Sequence, residues 1–580
     1  MVENGLVFGV VAIVTIVVAG AFSRKLGVAS PLILILVGFV FSYIPGAPTV
    51  VNHNIVLLGL LPPILYAAAI NVPVVDLRRN FGTISALSVG LVLVTTFGTG
   101  FLLFMIFPDL SLAGGIALGA VISPTDAVAA TALGKKLGLP PRLVTILEGE
   151  SLVNDATALV LLRSAVLAIS SAVTFWGVIG DFAFAVSVAI LVGLAVGFVT
   201  VKVRAKLRDP ILDTTISLAV PFIAFIPAEA LGASGVLAVV AAGLYSGHNS
   251  AKRFTAQARI SEQLNWRTAQ FVLENGVFLL MGVEISAIIA DVLAKDLSVS
   301  KAVVYGLLMV ATVILIRFLF IGPLLLVLRR RGQQAEERQS RVRAMLDRMR
   351  RRAAADPSLA RRQDRVERVF QRRESDLKQL RSEGLGWRGG IVLGWSGMRG
   401  VVTLAAAQSL PEDIDYRSQL VLIAFTVAVV TLLVQGGTLP WVIRASGIRG
   451  SDRAADRREL AELLDEMGAA GLAVLDNPDF TLPEGREIAP DVIERVRHDT
   501  LLSAESAWER ARYGGGEEGL VKSPHQQYRS LRQEVLQAER AALLDARSTG
   551  SYPSRVLRRA QAMLDLEETR LEQIDNPGAS

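Results

Sequence analysis

Long apolar stretches recur along residues 5–445 and give way to a polar, charged tail over 446–580. A hydrocarbon core about 30 Å thick needs roughly 20 helical residues to cross it. That window predicts thirteen helices, at 5–22, 30–46, 55–75, 82–107, 112–133, 143–168, 181–203, 212–230, 233–247, 265–290, 302–328, 390–410 and 419–443. An Arg-rich stretch, 329–388, separates the eleventh window from the twelfth. The expected architecture is an all-α polytopic membrane protein. Spans 1–11 fall in residues 1–328, a helical insert in 329–388, spans 12–13 in 389–445 and a helical C-terminal domain in 446–580.

The loops orient these windows, because Lys and Arg accumulate on the cytoplasmic side. One set of loops holds about fifteen basic residues even without the insert, and the other about three, Lys295, Lys301 and Arg417. The rich set includes Arg24, Arg78, Lys135, Lys136, Arg142, Lys202, Arg204, Lys206, Lys252 and Arg253. The N-terminus is therefore expected outside, with the insert and tail cytoplasmic. Met1-Val2-Glu3-Asn4 lacks a basic leader region, so the first apolar run reads as a retained span.

Composition agrees with a membrane domain joined to a soluble one: 52% hydrophobic residues alongside 19% charged ones. The net charge of +6 is accounted for by cytoplasmic loops and calls for no nucleic-acid partner. Absence of cysteine excludes disulfides, thiolate metal sites and cysteine nucleophiles. An excess of Arg over Lys and abundant Ala suggest the plasma membrane of a bacterium with a GC-rich genome.

Two polar clusters interrupt the apolar windows, Ser123-Pro124-Thr125-Asp126 and Glu148-Gly149-Glu150-Ser151-Leu152-Val153-Asn154-Asp155. A charge at the bilayer centre costs roughly 2.5 to 3.5 kcal/mol even on lenient scales, so ionisable residues there mark ion or proton paths. At 1.5 Å per residue, Asp155 lies roughly 18 Å into the sixth window and Asp126 roughly 21 Å into the fifth, entering from the opposite side. Ser151 and Asp155 are i, i+4 and share a helix face, as do Glu150 and Asn154. Pro124 removes a backbone donor and disfavours helix at Ser123, which predicts a carbonyl near Thr125 freed to face a ligand. Carboxylate, hydroxyl and carbonyl oxygens together suit a hard cation. A lone mid-span Asn or Ser is more often a packing contact, whereas two unneutralised acids have no packing rationale.

Arg317 lies within Val313-Ile314-Leu315-Ile316-Arg317-Phe318-Leu319-Phe320 and needs an internal partner; Glu150 is the first choice and Glu274 the second. This reads as a structural ion pair. Arg399, in Ser396-Gly397-Met398-Arg399-Gly400, sits where glycines permit an unwound helix, and could compensate helix ends or the acids' charge. If spans 1–6 and 8–13 are inverted repeats about span 7, the fifth member of each is broken, one at Asp126 and the other at Arg399. Paired interrupted helices point to a transporter's midplane site.

The runs SPTDAVAA (123–130), EGESLVNDATALVL (148–161), ASGVLAVVAAGL (233–244) and SGMRGVVTLAAA (396–407) closely resemble bacterial sodium/proton antiporters of the cation/proton antiporter-1 family, relatives of the animal sodium/proton exchangers. The resemblance spans about residues 5–445. It implies a thirteen-helix fold of inverted repeats with crossed broken helices, a homodimer, and a core domain that moves like an elevator. The family's asparagine-aspartate pair falls on Asn154 and Asp155, its threonine-aspartate on Thr125 and Asp126, and its ligand serine on Ser151. Glu150 and Arg317 match its buried salt bridge, and Arg399 the basic residue of its second broken helix. Asn at 154 resembles the electroneutral branch, one cation against one proton. Many relatives carry an acid shortly after Leu-Pro-Pro, but here Leu61-Pro62-Pro63 is followed by Ile64-Leu65-Tyr66-Ala67-Ala68.

The expected function is exchange of a monovalent cation, sodium or alternatively potassium, for H+ across the plasma membrane. Asp155 either holds a proton or, ionised, binds the cation with Ser151, Asp126 and the Thr125 carbonyl; Asn154 orients Asp126 or the helix. No cofactor and no enzymatic step are expected. A cation channel or sensor would instead conduct without proton coupling. Intramembrane aspartyl hydrolysis has two acids to draw on but lacks a Gly-x-Gly-Asp pattern. In the insert and tail, Arg341 to Leu346 and Ser451 to Met467 read as amphipathic helices. They fit a solvated bundle, or a regulatory element that senses pH or through which the Arg-rich insert contacts lipid headgroups. His53, His498 and His525 are isolated.

Overall fold

The computed structural model describes residues 2–26, 30–44, 54–170, 175–207, 209–353, 385–412, 414–448, 453–476 and 491–498, with isolated residues and short stretches between 508 and 567. His53, His525 and most of the insert, 354–384, lie outside the described residues. Among the described residues there is helix and no strand. The chain divides into two compact units, Met1–Gly450 and Ser451–Ser580.

In the first unit the helices are α1 (Val2–Leu26), α2 (Ser30–Phe41), α3 (Leu61–Asn71), α4 (Val74–Arg79), α5 (Phe81–Ser85), α6 (Val92–Ile106), α7 (Leu112–Ile122), α8 (Val128–Leu137) and α9 (Pro141–Ser170). They continue as α10 (Phe175–Arg204), α11 (Pro210–Ala230), α12 (Gly235–Arg253), α13 (Ala256–Ala294), α14 (Val299–Ala353), α15 (Trp387–Trp395), α16 (Val401–Gln408), α17 (Arg417–Thr431) and α18 (Gly437–Ser446). Wider π-helical turns at Ile55–Leu60, Ala86–Leu91 and Leu432–Gly436 lead into α3 and join α5 to α6 and α17 to α18. Helix occupies every one of the thirteen apolar windows. Among the described residues seven segments are long and apolar enough to cross a membrane, and Val7–Ser23, Ser30–Phe41, Ile55–Asn71 and Leu112–Ile122 are shorter apolar helices. α14 runs unbroken past residue 329 to Ala353, so the insert begins as a continuation of a spanning helix.

Local chemistry sets the ends of these helices. Ser111, Ser234 and Thr255 accept from the backbone N–H of Gly114, Leu237 and Ala258, capping α7, α12 and α13. Asp209 caps α11, with Pro210 at its first position. Gly138, at φ +75°, stops α8 in the left-handed conformation.

Between apolar helices in lipid there is little hydrophobic drive, and close packing of small residues replaces it. A Cβ on Gly100 would lie 2.7 Å from Ile116 Cα, and one on Gly119 would strike the Thr96 carbonyl, so α6 and α7 meet backbone to backbone. Gly38 and Gly282 do the same for α2 and α13.

The buried side chains form two main apolar clusters. The larger draws on α2, α6, α7, α13, α14 and α15 to α18; the smaller, with Leu65, Tyr66, Val220, Val239 and Trp266, draws on α3, α11, α12 and α13. α9 feeds both, with Leu147, Ala158 and Leu161 in the first and Leu152 and Ala156 in the second. The helix bearing Asp155 therefore lies on the boundary between them. In the second unit, α19 (Arg453–Leu475) is followed by a short helix over 491–498, and Arg497 pairs with Asp476 at 2.9 Å.

Candidate functional site

Two helices are broken where the sequence places its breakers. The fifth window splits into α7 and α8 around Ser123–Ala127, and the twelfth into α15 and α16 around Ser396–Gly400. The unwound segments meet: Asp126 N–H donates to the Met398 carbonyl at 2.7 Å. A Cβ on Gly400 would lie 2.6 Å from Asp126 Cβ, and one on Gly397 would lie 2.6 Å from Arg317 Cδ. Only hydrogen fits at either position, which is why glycines flank the second break.

Four helix ends face this crossing, and charge is distributed to match them. Arg399 donates from Nε to the Ile122 carbonyl at the end of α7, at 3.0 Å, and from Nη1 to the Gly397 carbonyl just beyond α15. A cation is thus set on the two negative C-terminal ends. Asp126 accepts from Val128 N–H at the start of α8, at 2.8 Å, and its other oxygen lies against Gly400, the residue before α16. An anion is thus set on the two positive N-terminal ends. Thr431 secures the second break by accepting from Arg399 N–H at 3.1 Å.

A polar scaffold lies behind the crossing. Arg317 donates to both Glu150 oxygens, at 2.6 and 3.0 Å, and to the Leu393 carbonyl at 3.0 Å. Thr125 Oγ1 donates to Glu150 at 2.8 Å, and Asn154 Nδ2 donates to both Thr125 O and Thr125 Oγ1 at 2.9 Å. Glu150, Arg317 and Asn154 are each at most 2% exposed, so no water substitutes for these partners.

Asp155 differs from all of these. It is 8% exposed, Asp126 lies within electrostatic reach, and among the described residues its carboxylate makes no hydrogen bond or ion pair. Ser151, one turn earlier on the same face, points its hydroxyl at the break and accepts from Ala127 N–H at 3.4 Å. The Asn154 Oδ1 atom beside it is also buried without a partner among the described residues. Two buried carboxylates, Glu150 and Asp155, and the partly exposed Asp126 face two buried guanidiniums, Arg317 and Arg399, which leaves one negative charge.

Several expectations change. The Thr125 carbonyl is not free, because Asn154 occupies one of its lone pairs; freeing it from the helix ladder left it available to the nearest amide. Of the two roles expected for Asn154, its hydrogen bonds to Thr125 hold the broken helix and not Asp126 directly. Glu274 accepts from Gln270 at 2.7 Å on α13 and takes no part in holding Arg317. Arg204, read above as a cytoplasmic loop cation, is 1% exposed and bonds Asp213 at 2.8 and 2.9 Å and Glu262 at 2.8 Å. One partner, Asp213, is nine residues on at the start of α11, and the other, Glu262, is distant on α13. The sequence reading also missed Thr431 and a further buried acid, Glu284, which accepts from Gln408 at 3.0 Å. A mid-span carboxylate in Met281 to Ile285 was the available signal for it.

Comparison with known proteins gives a consistent result. The family model described as "Sodium/hydrogen exchanger, transmembrane" matches residues 12–445. An uncharacterised Na+/H+ exchanger of Mycobacterium tuberculosis is 30% identical over 98% of this chain and 97% of its own length. A low-affinity Na+/H+ antiporter, NhaS1, of Synechocystis is 26% identical over 81% of this chain and 78% of its own. The sodium proton antiporter MjNhaP1 from Methanocaldococcus jannaschii, solved at pH 8, superposes with a TM-score of 0.53, covering 76% of this chain and 99% of that one. At 16% identity that likeness speaks to the fold alone. The extended family match, joined to the crossed helix breaks and their buried acids, places the chain in the transmembrane sodium/hydrogen exchanger family.

Proposed function

We propose that the protein exchanges one monovalent cation, sodium first among them, for one proton, with both competing for Asp155. The observation that carries this reading is the isolation of that carboxylate. Helix termini compensate Asp126 and Arg399, and Glu150 and Arg317 compensate each other; of these five groups Asp155 alone has no compensating partner among the described residues. A bare buried anion is costly, whereas either a proton or one monovalent cation cancels the single negative charge that remains. Both loaded forms can then move and the empty form is held back, which couples the two fluxes without ATP. Asp155, Asp126 and Ser151 supply the oxygens, with the unpartnered Asn154 Oδ1 and the second lone pair of Thr125 O at hand.

Movement is assigned to the boundary between the two apolar clusters, where α9 and the crossed breaks shift as one body against α3, α11 and α12. This is an elevator acting within a thirteen-span, inverted-repeat fold, in a homodimer in the bacterial plasma membrane with its N-terminus outside. The basic-residue asymmetry of the loops supports that orientation. The insert and tail are assigned to the cytoplasm, where a regulatory role rests on their charge patterning alone.

Potassium in place of sodium is favoured by one relative, named a sodium, potassium, lithium and rubidium/H+ antiporter, from Bacillus subtilis, 29% identical over half of this chain. Asp155→Asn tests the assignment in proteoliposomes carrying an imposed pH gradient. The variant should reach the membrane at normal levels and show no cation-driven proton movement; robust exchange by it would refute the role of Asp155.

A further inference from the structure

A cavity of about 590 Å³ opens along α9 on the same face as Asp155. Its lining includes Leu159, Arg163, Asp181, Glu229, Ser234 and Ser409. Leu159 is one helical turn beyond Asp155 and Arg163 two turns, so the Arg163 backbone lies roughly 12 Å from that of Asp155 along the axis. Leu159 packs onto the smaller apolar cluster beside Phe225 and Val236, leaving a layer one turn thick between cavity and carboxylate.

The described turns that line the cavity, at Gly232–Ser234 and Ser409, lie in stretches 231–234 and 409–412 that are free of Lys and Arg. These belong to the basic-poor set, which puts the cavity on the outer side. Its charged residues are also arranged across it. Glu229 at the end of α11 uses Oε1 to accept from Gly235 N–H at 2.8 Å, which fixes it to the start of α12. Its Oε2 faces Arg163 of α9 at 3.8 Å, and both side chains are about half exposed. An ion pair so long and so wet contributes little to stability. Its charges remain available to act on ions in the cavity.

We propose that this cavity is the outer cation vestibule and that Arg163, Glu229 and Asp181 set its potential: the two acids draw cations in, and Arg163 limits how strongly they accumulate above Asp155. The proposal rests on the transport reading for its functional consequence and on the geometry alone for its electrostatics. A unit charge acting over about 12 Å at an effective dielectric between 80 and 20 changes local ion occupancy about two- to tenfold. The effect shrinks at high ionic strength, where the screening length falls below that distance.

Because the natural chain has no cysteine, Ser164→Cys introduces a single thiol at the cavity wall. Membrane-impermeant cationic and anionic thiol reagents of equal size, applied from outside to intact cells, read the vestibule potential directly. Arg163→Gln should raise the ratio of cationic to anionic labelling rate about two- to tenfold, and Glu229→Gln, which keeps an acceptor for Gly235, should lower it. In right-side-out vesicles Arg163→Gln should lower the half-saturating external sodium concentration by a similar factor, with no change on the inner face in inverted vesicles. Labelling only from the inside, a rate ratio unmoved by either substitution, or equal shifts on both faces would overturn the proposal. Wild-type vesicles that show no exchange while the labelling ratios shift as stated would sink the transport reading and leave the vestibule standing.

Discussion

Arg317→Met removes the cation of the ion pair while keeping a side chain of similar length against Gly397. Three hydrogen bonds disappear, two to Glu150 and one to the Leu393 carbonyl. Glu150 keeps only the Thr125 hydroxyl, at 2% exposure. Removing one partner of a buried pair costs roughly 3–5 kcal/mol, since the remaining charge has neither water nor counterion. The assay is unfolding of the detergent-solubilised protein. Arg317→Met should lose about 3–5 kcal/mol, and adding Glu150→Gln should restore a large part of it, because the amide carries no charge to strand. A single variant that loses less than about 1 kcal/mol, or a double variant no better than the single, would refute the view of Glu150–Arg317 as a compensated pair bracing the crossing.

Gly400→Ala puts a methyl group 2.6 Å from Asp126 Cβ, so the two breaks must separate. Overpacking of this kind costs about 1–3 kcal/mol, and displaced Asp126 should weaken cation binding; titration of purified protein with sodium, unchanged from wild type, would count against the crossing as described. Thr431→Val removes the acceptor for Arg399 N–H and should destabilise by about 1–3 kcal/mol, read as a lower unfolding midpoint, with cation affinity altered less than by Gly400→Ala.

Much of this site was legible because membranes make polar residues conspicuous. Asp126, Glu150, Asp155, Arg317 and Arg399 stand out from apolar surroundings, and Pro124 with Gly397 and Gly400 marks where helices break. Depth alone demanded an internal acid for Arg317, with Glu150 the first choice and Glu274 the second, and the structure brings Glu150 to it. What was hidden depends on three-dimensional neighbours. Asn154 reaches Thr125 instead of Asp126 because the break turns the Thr125 carbonyl toward α9. Arg204 falls at the end of a span, where a loop cation and a buried one look alike until Asp213 and Glu262 are brought together around it. Compensation of helix ends was among the roles read for Arg399, but that Asp126 does the same for the opposite ends was hidden, since it depends on which of the four ends meet which charge. Close approaches such as Gly100 to Ile116 require both helices to be in place.

The central claim is that a proton and a cation exclude each other at one carboxylate, Asp155. The half-saturating sodium concentration for exchange, measured in proteoliposomes across a range of pH, tests it most directly. Competition at a single site predicts that this concentration rises about tenfold for each unit of falling pH once the site is mainly protonated, while the maximal rate is recovered by added sodium. A half-saturating concentration that stays constant as pH falls, with only the maximal rate declining, would contradict it.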